Sequence, residues 1–278
     1  MPRLGVLGWP VAHSRSPAMH NAALAELGLQ SWHYQALPVP PSLFAQTARA
    51  LSGSGFRGAN VTIPHKLAAL AIAEEASETA LSIGAANTLT FSDGGTIAAD
   101  NTDAPGLIAA LDCALGRMRV LVLGAGGSAR AAAWALREAG AGEVSVWNRT
   151  RERARSLAAD LGVRFAEQTE AADLLINCTA VGLRSEPSEA AALALLELDD
   201  GKLGEYAYVA DLAYREGQTE LLAAAARHGA RTLDGLEVLI AQGALSLELW
   251  TGRTAPVEVM RAAVRNHGSE RCGEPSEP

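Results

Sequence analysis

A chain of 278 residues, 49 % hydrophobic and 19 % charged, is long enough for one large globular domain or two modest ones. Its formal net charge of −8 argues against nucleic acid as the main partner, because such binders usually present a basic face. Cys113, Cys178 and Cys272 have neither metal-ligand nor disulfide-framework spacing, and no uninterrupted apolar run is long enough to cross a bilayer. The expectation is a soluble protein of a reducing cytoplasm, without a metal site.

Short β-rich runs alternate with turns and alanine-rich amphipathic stretches along the whole chain, the pattern of an α/β protein. Residues 4–7 read as a first strand. Ser16-Pro17 opens a helix to about residue 27, with Ser16 as N-cap and Pro17 at the first helical position. A strand at 32–37, a helix at 41–51 and a strand at 58–62 follow, and Pro64 starts another helix. Residues 88–91 and 96–99 form a hairpin around Asp93-Gly94-Gly95. Thr102-Asp103 then opens a helix to about residue 115.

A second series begins at Arg119. Residues 120–123 are continuously apolar, as a parallel strand buried on both faces would be. Helix 128–139, strand 143–147, helix 151–161 and strand 173–177 come next, then strand 208–212, helix 219–228, a short strand at 231–233 and a last helix from about residue 236. The polar tail 266–278, with two prolines, is expected to be disordered.

Gly124-Ala125-Gly126-Gly127-Ser128-Ala129 fits G-x-G-x-x-A between a strand and a helix. The first glycine permits a tight turn and the second lets backbone approach a pyrophosphate. The small third residue allows close helix–strand packing, and the helix N-terminus offers N–H groups to the anion. The next strand ends Trp147-Asn148-Arg149-Thr150-Arg151. It lacks the acid that an NAD site places there for the ribose hydroxyls, and Arg149 can pair with a 2′-phosphate. These residues favour NADP.

Lysine is almost absent: Lys66 and Lys202 are the only two, against a background of arginine. Arginine cannot trade a proton near neutral pH, whereas a lysine amine can be tuned to do so. Lys66 closes the run Asn60-Val61-Thr62-Ile63-Pro64-His65-Lys66, which marks it as a candidate catalytic residue. Ser14-Arg15-Ser16-Pro17, Asn87 and Asp100-Asn101-Thr102-Asp103 place further small polar groups at helix starts and strand ends. Together they suit a polyhydroxylated carboxylate substrate.

These motifs resemble the shikimate dehydrogenase family. The match runs through Ser14-x-Ser16-Pro17, Asn60-Val61-Thr62-x-Pro64-x-Lys66, Ala86-Asn87-Thr88, Asp100-Asn101-Thr102-Asp103, the Gly124–Ser128 loop, Asn148-Arg149-Thr150 and Asp234-Gly235-Leu236 with Gln242. It covers about residues 3–262 in the family's order. The resemblance implies reversible reduction of the 3-keto group of 3-dehydroshikimate by NADPH. It implies two α/β domains. The first is a substrate-binding and catalytic domain at 1–102, with a mostly parallel sheet, completed by a C-terminal helix at 236–265. The second is a Rossmann NADP-binding domain at 103–235.

By the same resemblance Lys66 and Asp103 form the catalytic pair. Ser14 and Ser16 take the substrate carboxylate, and Thr62, Asn87, Asp103 and Gln242 the ring hydroxyls, with Tyr214 a further substrate contact. The cofactor side comprises Glu78, Gly124, Ala125, Gly126, Gly127, Ser128, Asn148, Arg149, Thr150, Leu212 and Gly235. Leu212 stands where many members carry methionine. The implied partner is a small molecule, with no nucleic acid or membrane, and the protein a monomer or homodimer. Rival readings are a quinate/shikimate or amino-shikimate dehydrogenase, and an NADP-binding regulatory protein without turnover. The last would be expected to lack the lysine–aspartate pair.

Overall fold

A computed structural model of the chain describes residues 1–266. They form two compact units. One comprises Met1–Leu81, Ala85–Thr102 and the chain from Leu239 on; the other comprises Ser82–Gly84 and Asp103–Val238.

In the first unit, β1 (Arg3–Gly8), α1 (Ser16–Glu26), β2 (His33–Pro38), α2 (Phe44–Gly53), β3 (Phe56–Val61), α3 (Lys66–Ile72), β4 (Glu75–Ala76), α4 (Glu78–Ile83, its last two residues counted with the second unit), β5 (Thr88–Phe91) and β6 (Ile97–Asp100) follow in order. The sheet runs β2-β1-β3-β5-β6-β4. Strands β2, β1 and β3 are mutually parallel and β4 pairs parallel with β6, while β5 pairs antiparallel with β3 and β6. The last of these is the expected hairpin. One face packs Leu7, Val61, Leu89 and Ile97 against Phe44, Ala48 and Ala69 of the covering helices.

Local expectations shift in several places, and the helix expected from Thr102-Asp103 to about residue 115 ends at Ala110. Ser16 is the first residue of α1 and not its N-cap: Arg15 holds that position without a side-chain bond, and Ser14 Oγ accepts from Ser16 N at 3.3 Å. The helix expected from Pro64 starts at Lys66, because His65 N bonds Thr62 O at 2.9 Å and closes a turn first. The segment expected as one helix from Pro41 opens with a 3₁₀ turn, Pro41–Leu43, before α2.

The second unit contains α5 (Asp103–Ala110), β7 (Arg119–Leu123), α6 (Gly127–Glu138), β8 (Glu143–Trp147), α7 (Arg151–Leu161), β9 (Arg164–Phe165), β10 (Leu174–Asn177), α8 (Glu189–Leu195), β11 (Tyr208–Asp211), α9 (Glu220–Arg227) and β12 (Arg231–Asp234). All its strands are parallel, ordered β9-β8-β7-β10-β11-β12. This is the 3-2-1-4-5-6 order of the dinucleotide-binding fold, with its switch point between β7 and β10. Val120–Leu123 and Leu174–Ile176 are buried on both faces, as the unbroken apolar runs require. Alanines 129, 132 and 133 bring α6 close to one face, and Trp147, Leu193, Leu203 and Leu221 fill the other.

α10 (Gly235–Thr251) gives its first turn, to Val238, to the second unit and the rest to the first. The single C-terminal helix expected at 236–265 is two helices, α10 and α11 (Val257–Asn266). Gly252 adopts φ +64° after α10, and Pro256 follows just before α11. That pairing of a left-handed glycine with a later proline is a strong helix stop. Of the tail expected to be disordered, Asn266 ends α11 and 267–278 lie outside the described residues.

Candidate functional site

In the first unit the expected substrate residues gather at the C-terminal ends of β1 and β3 and on α10. Gly8 ends β1, and a Cβ there would lie 2.5 Å from Thr62 Cγ2, so the glycine is what lets Thr62 pack beside that strand end. Thr62 N also bonds Leu7 O at 2.9 Å. Ser14 is tied back to the same region through its N to Val11 O at 3.0 Å. Ser16 is buried and Ser14 half-buried.

Lys66 begins α3 and is 9 % exposed. Its carbonyl accepts from Ala86 N at 2.9 Å, which sets the lysine's helix beside the turn that carries Asn87 into β5. The preceding residue, His65, is buried: its Nε2 bonds Val39 O at 2.7 Å and its ring stacks on Phe44 at 4.5 Å. Burial lowers the His65 pKa, so near neutral pH a neutral ring with its proton on Nε2 fits the bond to a carbonyl.

Asn87 is buried and fully engaged. Its Nδ2 donates to Thr102 Oγ1 at 2.9 Å and to Gln242 Oε1 at 3.1 Å, and its Oδ1 accepts from Thr102 N at 2.7 Å. Gln242 Nε2 in turn donates to Leu239 O at 2.7 Å. Residues 155 positions apart in sequence are thus joined through one amide. Asp103 follows Thr102 directly, as the acidic residue of the first turn of α5.

Beneath this layer lies a buried network that sequence reading did not find. Asn60 Nδ2 donates to Ser246 Oγ at 2.8 Å, and Tyr34 Oη to Asn60 Oδ1 at 2.7 Å. Ser246 also meets Thr88 Oγ1 at 2.9 Å and Thr102 Oγ1 at 3.1 Å. The available signal was Ser246 four residues after Gln242, on the same helical face. His20 stacks on Tyr34 at 4.3 Å, and neither of its buried nitrogens has a hydrogen-bond partner. Burial drives its pKa down to about 3, with Asn60 acting weakly in the opposite sense.

In the second unit, Gly124 adopts φ +117°, and a Cβ there would lie 3.1 Å from Cys178 O. Only glycine fits that turn between the ends of β7 and β10. Gly126 is different: it is the N-cap of α6, without a side-chain cap, and a Cβ there would meet nothing of the chain. The chain's own packing does not require glycine at that point, whereas close approach of a pyrophosphate to the α6 N-terminus would. The half-buried Ala125, Gly127 and Ser128 complete the loop.

At the end of β8, Asn148 Nδ2 bonds Thr150 O at 2.9 Å, shaping the turn on which Arg149 and Thr150 are exposed. Arg149 makes no ion pair or side-chain hydrogen bond among the described residues. Arg151, read from sequence as a neighbouring donor, is committed elsewhere. It stacks over the Trp147 ring at 5.2 Å, donates to Asn148 O at 3.0 Å and pairs with Glu197 at 2.8 Å. A loop with an open glycine, a helix N-terminus without a side-chain cap and an arginine outside any ion pair fits an adenine dinucleotide bearing a 2′-phosphate.

Leu212 and Tyr214 are half-buried beyond β11. A Cβ on Gly235 would lie 2.7 Å from Leu212 O, so this glycine sits directly against the Leu212 backbone. Glu78 is exposed in the first turn of α4, within the first unit. Among the described residues no group of three or more His, Cys, Asp or Glu could hold a metal ion, and no helix is long and apolar enough to cross a membrane.

Three family models match the chain: a shikimate dehydrogenase substrate binding domain over 6–89, a shikimate / quinate 5-dehydrogenase over 109–183 and a shikimate 5′-dehydrogenase C-terminal domain over 235–265. The shikimate dehydrogenase (NADP(+)) of Symbiobacterium thermophilum is 40 % identical, the alignment covering 94 % of this chain and 92 % of that one. The shikimate 5-dehydrogenase of Thermus thermophilus, solved in complex with NADP(H) and shikimate, superposes with a TM-score of 0.85 at 42 % identity, covering 96 % of this chain and 99 % of that one. The 5-ketofructose reductase of a Gluconobacter strain shares the fold at a TM-score of 0.79 and 30 % identity, covering 95 % and 98 %.

Proposed function

The chain belongs to the shikimate dehydrogenase family, and from that premise we infer that it catalyses the reversible NADPH-dependent reduction of 3-dehydroshikimate to shikimate. The observation that carries this reading is the buried Lys66, whose own carbonyl bonds the N–H of Ala86, next to Asn87, which in turn bonds Gln242. A regulatory protein without turnover has no use for a buried amine in such a cluster.

NADPH, when bound, supplies the hydride. As the ketone carbon is reduced, negative charge grows on its oxygen. The Lys66 ammonium stabilises that charge and donates the proton, and it takes the proton back in oxidation. Asp103, as the second member of the catalytic pair, accepts from a ring hydroxyl and orients it. Thr62, Asn87 and Gln242 bind the ring hydroxyls, and Asn87 and Gln242 can do so by exchanging part of their mutual bonding for the ligand. The Ser14 and Ser16 hydroxyls donate to the carboxylate, with Tyr214 a further contact. Gly124–Ser128 hold the pyrophosphate, Asn148–Thr150 the 2′-phosphate end, and Leu212, Gly235 and Glu78 line the rest of the cofactor. The 1–102 segment with the C-terminal helices would serve as the substrate domain and 103–235 as the cofactor domain. The protein would act in the cytoplasm as a monomer or homodimer on a small-molecule substrate.

The purified protein should oxidise shikimate with NADP at least about tenfold faster than quinate with NAD, since one pocket group that recognises a hydroxyl can discriminate by that much or more. Equal or faster quinate/NAD turnover would sink the substrate assignment. Lys66→Ala should lower kcat by about 10²–10⁴ while shikimate binding stays measurable by calorimetry. Near-normal turnover would remove Lys66 from the chemistry.

A further inference from the structure

Asp211 closes β11 with its carboxylate buried, 1 % exposed. Oδ1 accepts from Asn177 Nδ2 at 2.8 Å and from Ala213 N at 3.0 Å, and Oδ2 from Thr219 Oγ1 at 2.7 Å. The three donors come from three segments: the end of β10, the chain leaving β11 and the N-cap of α9.

Asn177 passes the constraint on. Its second amide hydrogen goes to Val181 O at 3.0 Å, and its Oδ1 accepts from Thr179 N at 3.0 Å and Thr179 Oγ1 at 2.8 Å. The loop after β10 therefore hangs on Asn177, and Asn177 on Asp211. Gly182, at φ +95°, covers the carboxylate: a Cβ there would lie 3.3 Å from Asp211 Oδ2 and 3.2 Å from Ala213 Cβ. Gly235 closes against the Asp211 and Leu212 carbonyls, each 2.7 Å from its would-be Cβ. The connections leaving β10 and β11 thus converge on one carboxylate, and the one leaving β12 packs on the backbone of the same residue, at the C-terminal edge of the sheet, where ligands of open α/β folds bind.

Such a group is costly to keep. Burial, with a smaller push from the Asp234 carboxylate, raises its pKa to about 7, against the pull of its three hydrogen bonds. All its bonds serve the protein, and the carboxylate is closed to a ligand.

We propose that Asp211 is a positioning residue of this enzyme, which acts by fixing the loops 178–182 and 212–219 and so sets Leu212 and Tyr214 at the nicotinamide end of the cofactor. The inference rests on the roles given to Leu212 and Tyr214 under Proposed function. It assigns nothing to the adenosine end, which the Gly124 loop and Arg149 serve.

The test compares wild type, Asp211→Ala and Asp211→Asn by kcat with shikimate and NADP, by NADP affinity and by affinity for adenosine 2′,5′-bisphosphate, which lacks the nicotinamide. Asp211→Ala should lower kcat by about 10²-fold, the usual cost of a small misplacement of reacting groups. It should weaken NADP by about tenfold and leave the bisphosphate within about twofold, as expected of a loss confined to one end of the ligand. Asn keeps Oδ1 as acceptor and can donate to Thr219 Oγ1, so Asp211→Asn should recover kcat to within about fivefold of wild type. An unchanged kcat and NADP affinity in Asp211→Ala, a parallel loss of bisphosphate affinity, or no recovery in Asp211→Asn overturns the proposal. Where Asp211→Ala fails to fold, Thr219→Val replaces it, with about a fivefold loss of kcat and unchanged bisphosphate affinity expected for one lost bond; an unchanged kcat again overturns it. A wild type that binds NADP and the bisphosphate but does not turn over shikimate counts against the Proposed function alone, because the contrast between those two affinities still reads Asp211.

Discussion

Replacing His20 by phenylalanine should flatten the acid side of the stability profile. The ring lies wholly buried, stacked on Tyr34 at 4.3 Å and tilted against Trp250 at 5.7 Å, with no hydrogen bond to either nitrogen. Its folded pKa is about 3, against 6.5 for the exposed group. A depressed folded pKa gives stability that is fully present above 6.5 and lost as pH falls, because the unfolded chain takes up a proton the native state refuses. The loss approaches about 1.4 kcal/mol per pH unit below the unfolded pKa. From about pH 7 to about pH 5 it amounts to about 2 kcal/mol, and to about 4 kcal/mol once pH reaches the folded value. Phenylalanine keeps the stacking and removes the titration. Any cost of its larger ring, about 1–3 kcal/mol, applies equally at every pH. Asp211 has the opposite slope, because its raised pKa gives stability below the unfolded value that is lost as pH rises toward about 7, but it is present in both proteins and cancels in the difference. The assay is urea unfolding of both proteins across this pH range. The stability of the variant relative to wild type should rise by about 2 kcal/mol between about pH 7 and about pH 5. Parallel profiles would refute the reasoning and mean that His20 is hydrated or charged in the native protein.

The two glycines of the cofactor loop should separate stability from binding. Gly124→Ala forces a side chain into φ +117° and against Cys178 O, so it should cost about 1–3 kcal/mol and lower Tm by several degrees in a melting scan. Gly126→Ala meets no neighbour and should leave Tm nearly unchanged while raising KM for NADP at least about tenfold, because the methyl group occupies the path of the pyrophosphate; an unchanged KM would mean that this loop does not hold it. If Arg149 holds the 2′-phosphate as proposed, Arg149→Gln should raise KM for NADP about 10- to 100-fold, the loss of one charge-assisted contact, and leave KM for NAD steady. Equal effects on both would deny Arg149 the 2′-phosphate.

Much of the fold was legible because it follows from local chemistry. The apolar runs at β7 and β10, the alanine helices between them that stop at left-handed glycines and the glycine turn after β7 specify a parallel sheet with little help from distant residues. The misread elements are those where local signals are weak or misleading. β4 and β9 are two-residue strands, too short for any periodicity to register. α8 was missed although Ser188 caps it, accepting from Ala191 N at 3.1 Å. Ser16 and Pro64 carry helix-start chemistry, yet each helix begins where the preceding turn closes.

Lys66 stood out in the sequence by its chemistry, and Ser14, Thr62, Asn87 and Gln242 entered through the family's motifs. Their support was not readable there. Ser246, His20, Tyr34 and the Asn177–Asp211–Thr219 chain look like ordinary helix and strand residues, and their importance comes from partners far away in sequence.

By itself the sequence determined the alternation of strands and helices, the turn that only glycine at position 124 can make, the arginine at the end of β8 and the choice of an amine at position 66. Each depends on one residue and its near neighbours. The tertiary structure alone decided which polar groups are buried and which of them bond. Asn87 reaches Gln242 across 155 positions, Asn60 reaches Ser246 across 186, and Asp211 gathers the connections of three strands. The physical reason is that burial makes an unpaired polar group costly, so its partner must be close in space, and the fold brings that partner from wherever in the chain it lies.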